Sequence, residues 1–198
     1  MIRVAIMASG TGTNAKALLK AESELSDVSV ELVITDKIDA GVIEISKSFS
    51  KPIEVIEKKE STKTEHESRI KKTLKDYKID WIFLAGYMRI LSSDFIDSFF
   101  DSNIQQSRII NIHPSLLPHF RGLNAYERAY EEKSEHIGIS IHFVDGGMDT
   151  GKIILQERFQ SDFNHGFEEF KEQGLALEHK LYPHVLKNLP LIQQKGHL

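Results

Sequence analysis

Apolar residues along this chain fall into two alternating patterns. Strand-length apolar stretches occur at 3–9 (RVAIMAS), 28–36 (VSVELVITD), 51–57 (KPIEVIE), 81–87 (WIFLAGY, a continuous run) and 108–114 (RIINIHP). Between them lie stretches with a helical period: 14–24, with Ala17, Leu18 and Ala21; 40–49; and 63–78, where Ile70, Leu74 and Tyr77 stand on a charged background. An unbroken run suits a strand covered on both faces, and i, i+4, i+7 spacing marks one face of a helix. Residues 92–100 open on two serines able to cap a further helix. The alternation predicts an α/β fold with a doubly wound, mostly parallel sheet.

The later part of the chain departs from this rhythm. Residues 138–159 hold two strand-like runs joined by a glycine-rich loop too short for a crossover helix, which predicts an antiparallel addition to the sheet. Residues 166–189 read as a helix carrying Phe167, Phe170, Leu175, Leu177 and Leu181, interrupted by Gly174. A length of 198 residues fits one domain, 1–198.

Composition narrows the function. The absence of cysteine excludes disulfides, thiolate metal sites and a cysteine nucleophile. With 25 basic and 29 acidic residues the net charge is −4, without the basic excess of a nucleic-acid binder. No apolar run nears the ~18 residues of a membrane helix. The opening MIRVAIMASG reads as a first strand, not a signal peptide. These features lead us to expect a cytoplasmic protein, monomer or homodimer, with a small-molecule partner and neither nucleic acid nor membrane.

Three stretches carry candidate chemistry. Asn111 and His113 are two apart on a strand, so they face the same side, at the carboxyl end where open α/β sheets bind ligands. An amide can donate to a developing oxyanion, and an imidazole can do the same or move a proton. The plainer reading is a turn cap and a histidine bonded to a nearby carbonyl; the proline-bracketed HPSLLP that follows weighs against it. In ASGTGTNA (8–15), small residues let backbone N–H groups converge on an anion at a helix start. Gly10-x-Gly12-x-x-Ala15 with Asp36 also satisfies a dinucleotide fingerprint, and a plain tight turn uses the same residues.

The third stretch is DGGMDTG (145–151). A carboxylate from it set near His113 would raise the imidazole pKa and fix the ring. The pattern does not separate Asp145 from Asp149, and capping a turn would serve either equally well. The nine histidines show no helical metal pair and no His-Glu-x-x-His, so no metal site is expected. Ser115 lacks the Gly-x-Ser-x-Gly elbow of a hydrolase.

Taken in order, ASGTGTN, ITDKIDAG, LAGYMRILSSDF, IINIHPSLLP, HFVDGGMDTGKIILQ and LEHKLYP resemble the folate-dependent formyltransferases, most closely the branch that acts on glycinamide ribonucleotide in purine synthesis. The resemblance spans nearly the whole chain. It implies a Rossmann-like, mononucleotide-binding half over 1–100, a catalytic and folate-binding half over 101–198, and transfer of a formyl group from 10-formyltetrahydrofolate to the amine of glycinamide ribonucleotide. By matching position it implies that Gly12, Thr13 and Asn14 hold the substrate phosphate and that Glu178 meets the ribose. Asn111, His113 and Asp149 would be the catalytic set, Asp149 being selected by its place in MDTG and keeping His113 charged near neutral pH. Tyr87, Met88, Arg89, Ile90 and Leu91, with Asp145, Gly146, Gly147 and Met148, would line the pterin pocket, and Lys63 would meet the folate tail.

One segment departs from the family pattern. HFRGLNAYERAY has Arg121 and Asn124 where the family usually has proline and histidine, and its FRG is similar to relatives that formylate sugars or methionyl-tRNA. A sugar-nucleotide N-formyltransferase is therefore one alternative, and a non-catalytic dinucleotide-binding module another.

Overall fold

The structure, a computed structural model, describes residues 1–161 and 163–198. Its first half alternates as the sequence predicts: β1 (Ile2–Met7), α1 (Thr13–Glu22), β2 (Val28–Thr35), α2 (Val42–Ser48), β3 (Ile53–Val55), α3 (Lys63–Asp76), β4 (Trp81–Leu84) and α4 (Ser93–Asp97). A two-stranded ribbon, β5 (Phe100–Asp101) and β6 (Gln106–Ser107), leads into β7 (Ile109–His113). Then come α5 (Ala125–Glu131), β8 (Gly138–Phe143), β9 (Ile153–Arg158), a 3₁₀ turn at Phe163–His165, α6 (Phe167–Lys187) and α7 (Leu189–Lys195).

Among the described residues the main sheet has seven strands in the order β3-β2-β1-β4-β7-β8-β9. The strands from β3 to β7 run parallel; β8 pairs antiparallel with β7, and β9 with β8. The predicted antiparallel addition is thus present. The run of β4 is unbroken because both of its faces are covered. Along β1, Val4 and Ile6 join a core with Leu18, Leu19 and Tyr182, while Ala5 and Met7 join a second core with Ile70, Leu74 and Phe95.

Local signals set the helix ends. Thr62 and Glu65 form a capping box at α3, the Thr62 side chain accepting from Glu65 N and the Glu65 carboxylate from Thr62 N. Ser92 caps α4 by accepting from Phe95 N at 3.1 Å. The helix expected over 166–189 ends at Lys187, and the chain turns at Asn188 into α7, which sequence reading did not anticipate. Gly174 lies inside α6 for a packing reason. A β-carbon there would stand 2.4 Å from the Tyr126 ring and hydroxyl.

The topology places the site. Strand order reverses between β1 and β4, and a crevice lies beyond the carboxyl ends of the neighbouring β4 and β7. Leu84, the last residue of β4, pairs with Asn111, so β7 continues two residues past its neighbour and carries His113 out over the crevice. The buried Tyr182 hydroxyl lies 2.9 Å from the Leu84 carbonyl and 3.0 Å from that of Ile110, tying α6 to both strand ends.

Candidate active site

The crevice widens into a cavity of about 340 Å³, within the usual size of small-molecule sites. Its walls come from three segments: residues 84–91 after β4, residues 111–114 and 122–125 around the end of β7, and residues 142–149 after β8. Met88, Ile90, Leu123 and Met148 are all more than half exposed at its rim. Large apolar side chains gathered at a cavity mouth mark a surface that a ligand covers. Predicted lining residues Tyr87, Met88, Arg89, Ile90, Leu91, Asp145, Gly147 and Met148 all border it. Gly146 does not, and its α-carbon faces Ser93. Lys63 stands outside the lining as well. It begins α3, 4.0 Å from Glu67, whose carboxylate accepts from Ser92 N beside the cavity residue Leu91.

At one wall three side chains separated in sequence converge. Asn111 and His113 point to one face of β7, and Asp149 reaches them from the loop after β8. Asp149 Oδ2 lies 3.3 Å from His113 Nδ1, and Asp149 Oδ1 lies 3.5 Å from Asn111 Nδ2. Asp149 has φ 52°, a left-handed conformation that aspartate adopts more readily than most residues. Gly122 N donates to Asp149 Oδ2 at 2.8 Å. Asp145 instead closes its own turn, accepting from Gly147 N (3.0 Å) and the Thr150 hydroxyl (2.6 Å). The geometry therefore separates the two acids that the sequence pattern left equivalent.

A fourth residue, His142, was missed by sequence reading. It pairs directly across from Asn111 in the β7–β8 register. Its Nδ1 donates to the Phe143 carbonyl at 2.8 Å, which turns Nε2 toward Asn111 Nδ2 (3.3 Å) and Asp149 Oδ1 (3.6 Å). The available signal was the antiparallel pairing itself, which aligns residue 142 with residue 111 once the strands are in register.

Electrostatics corrects one expectation. Asp149 does pull the His113 pKa upward, as does the Phe120 carbonyl, which accepts from His113 Nε2 at 2.8 Å. Burial, helped by the neighbouring His142 and Arg128 charges, outweighs both and holds the imidazole below its ordinary value, so His113 is not kept charged near neutral pH in the free site. Burial also pushes Asp149 up, but the contact with His142, the His113 charge and the Gly122 N–H together bring it down to about 2. The site thus holds an ionised carboxylate beside a neutral imidazole.

The segment that departs from the family pattern builds this wall. Phe120 O anchors His113 and also accepts from Arg128 Nη2 at 2.8 Å. Arg128 donates to Arg121 O at 2.6 Å and lies over the Phe120 ring, 5.7 Å from its centroid. The preceding HPSLLP loop is fixed from beneath, since the Ser140 hydroxyl accepts from Leu117 N and donates to Ser115 O. Ser115 is buried and its hydroxyl donates to the His119 carbonyl at 2.5 Å, so it is a loop tie and not a nucleophile.

The second predicted cluster lies beside the first. Gly12, in the left-handed region at φ 79°, turns the chain into α1, and a β-carbon there would stand 2.8 Å from Val42. Thr13 is exposed at the first turn, where helix N–H groups lack intrahelical partners. Asn14 does not turn its side chain to the helix end. Its amide donates to Glu178 Oε2, while Tyr126 donates its hydroxyl to Glu178 Oε1 at 2.6 Å. Burial pushes the Glu178 carboxyl above its ordinary value against these two donors. Asp36 corrects the dinucleotide reading. It is buried, accepts from the Ser9 hydroxyl (2.5 Å) and pairs with Arg89 Nε (2.6 Å), leaving no carboxylate presented to a ribose. Ser9 in turn accepts from Met88 N at 2.9 Å, which fastens the first loop to the cavity wall.

Comparison with known proteins matches residues 2–186 to the formyl transferase family. Phosphoribosylglycinamide formyltransferase of Bacillus subtilis is 36% identical over 198 residues, covering 99% of this chain and 98% of its own length. The human trifunctional purine biosynthetic protein adenosine-3 is 35% identical over 93% of this chain, which corresponds to 18% of that longer protein. The crystal structure of phosphoribosylglycinamide formyltransferase from Bacillus halodurans matches with TM-score 0.87 at 40% identity over 94% of each chain. Glycinamide ribonucleotide transformylase 1 from Geobacillus kaustophilus matches with TM-score 0.87 at 38% identity over 96% of this chain and 98% of its own. With its strand-end Asn111–His113 pair, its cavity and these full-length matches, the chain belongs to the formyl transferase family.

Proposed function

We propose that this chain is a phosphoribosylglycinamide formyltransferase, moving a formyl group from 10-formyltetrahydrofolate to the amine of glycinamide ribonucleotide in purine biosynthesis. The observation that carries the reading is the meeting of Asn111, His113 and Asp149 at the wall of the cavity. The cavity suits a flat heterocycle with a polar edge, since its rim is apolar and its inner wall presents the amide, the carboxylate and backbone groups. The folate supplies a formyl carbon bonded to a nitrogen that can leave.

As the substrate amine adds to that carbon, negative charge develops on the formyl oxygen and one proton must pass from the amine to the departing nitrogen. Asn111 offers an amide N–H to that oxygen by exchanging one of its long contacts, to His142 Nε2 (3.3 Å) or Asp149 Oδ1 (3.5 Å). Removing one such donor typically costs about 2.7–4 kcal/mol. His113 and Asp149 take up the proton in transit. The neutral imidazole becomes an imidazolium whose Nδ1–H faces the Asp149 carboxylate at Oδ2 and whose Nε2–H is already held by Phe120 O, and the proton then passes to the departing nitrogen as its bond to the formyl carbon breaks. Both acceptors are in place beforehand, and the growing oxyanion offsets the burial that disfavours the charge. Gly12, Thr13 and Asn14 offer backbone N–H groups to the substrate phosphate, and Glu178 meets the ribose hydroxyls.

The test is a coupled assay with 10-formyltetrahydrofolate, offering glycinamide ribonucleotide and an amino-sugar nucleotide in parallel. Formylation of the ribonucleotide alone is expected. Preference for the sugar nucleotide, or no turnover of either, would overturn the reading.

A further inference from the structure

Helix α6 gives up a side chain at Gly174, although glycine is a poor helix residue. Phe170, Gly174 and Glu178 are spaced i, i+4, i+8, so they line one face of that helix. Tyr126 lies along this face. Its ring meets Phe170 edge-on, at 6.0 Å between centroids and 89° between planes. Its edge passes over Gly174, where any β-carbon would collide with the ring and hydroxyl. Its hydroxyl ends on Glu178 Oε1 at 2.6 Å. The other carboxylate oxygen takes the Asn14 amide from α1. Tyr126, Glu178 and Asn14 are all buried, and Asn14 Oδ1 is left without a partner. Tyr126 belongs to the first turn of α5, immediately after Asn124 and Ala125, which line the cavity.

We infer that Tyr126 is a positioning residue for the amine substrate: seated in the groove that Gly174 opens, it fixes the Glu178 carboxylate so that its remaining lone pairs meet the substrate's sugar hydroxyls. The inference rests on the reading of Glu178 as the ribose contact. It adds that a strut from the cavity wall sets that contact. It also gives Gly174 and part of the departing segment a shared task.

Tyr126→Phe keeps the ring and its fit over Gly174 and removes only the hydroxyl. The KM for glycinamide ribonucleotide should rise roughly tenfold, as for loss of a hydrogen bond to a charged group, with kcat and the folate KM within twofold of the parent. Loss of a donor to the charged form also raises the Glu178 pKa, so the acid-side weakening of ribonucleotide binding should begin at higher pH. The groups facing this carboxylate are Tyr126 from α5 and Asn14 from α1, with Tyr182 nearby on α6. Glu178→Gln separates the two levels of the argument. If Glu178→Gln raises the ribonucleotide KM and Tyr126→Phe does not, the positioning role is overturned while the ribose contact stands. If Glu178→Gln leaves that KM unchanged, the ribose reading itself fails. A Tyr126→Phe variant with lowered Tm and both KM values unchanged would assign the tyrosine a structural role only and overturn the inference.

Discussion

Two carboxylates, Asp149 in the cavity wall and Glu178 buried against Tyr126 and Asn14, each have protein partners on both oxygens, yet their environments push them in opposite directions. Asp149 faces two histidines and a backbone N–H and is drawn down to about 2. Glu178 receives only a phenol and an amide, and burial pushes it up. Partners that can carry positive charge stabilise a buried carboxylate more than neutral donors do, because only they interact by full Coulomb attraction. On the proposed mechanism, Asp149 stays ionised while its neighbour His113 takes up and returns a proton. The other, in the proposed ribose contact, is held by two neutral donors at an electrostatic cost.

The strongest test of this contrast removes the charge at each acid in turn. Asp149→Asn should lower turnover by at least ~100-fold, and His113→Ala by a similar factor, each with a cooperative unfolding transition retained. Steady-state kinetics and denaturant melts check both. The Asp149 variant should also lose stability at neutral pH. The folded pKa lies below the ordinary 3.8, so the contribution is present above that value and fades as pH falls toward about 2. Glu178→Gln should act more gently, raising the ribonucleotide KM roughly tenfold. Its stability effect has the opposite sense: a raised folded pKa stabilises below the ordinary 4.5 and loses that contribution as pH rises through the folded value. Relative to the parent, the Gln variant should therefore gain stability as pH rises above about 4.5, read by melts across a pH series.

The smallest effect is expected away from both acids. Asp36→Asn breaks the pair with Arg89 and weakens the link from Ser9 to the cavity wall. Arg89 is partly exposed, so the folate KM should rise only about threefold, with kcat nearly unchanged. An unchanged folate KM would show that Asp36 does not steady the 87–91 wall.

Much of this arrangement was legible in the sequence, for identifiable reasons. Strands buried on both faces write themselves as apolar runs, so β1, β2, β4 and β7 could be read directly. Asn111 and His113 stood out as polar residues with strand spacing at the end of such a run. What escaped depended on register or on distant packing. His142 faces Asn111 only through the β7–β8 pairing, which no local pattern encodes. Helix α5 has seven residues, too few for a period to emerge, so Tyr126 gave no sign of reaching Glu178. Asp36 matched a dinucleotide pattern because sequence spacing does not reveal that its carboxylate is spent on Arg89 and Ser9. The charge of His113 was misjudged because the carboxylate was visible in the sequence and the depth of burial was not.

The most direct measurement is the titration of His113 by NMR in the free protein, assigned by its absence in His113→Ala, for the parent and for Asp149→Asn. The account predicts a parent midpoint below the ordinary imidazole value of 6.5, moving lower still when the Asp149 charge is removed. A parent midpoint at or above 6.5, or the same midpoint in both proteins, would contradict it.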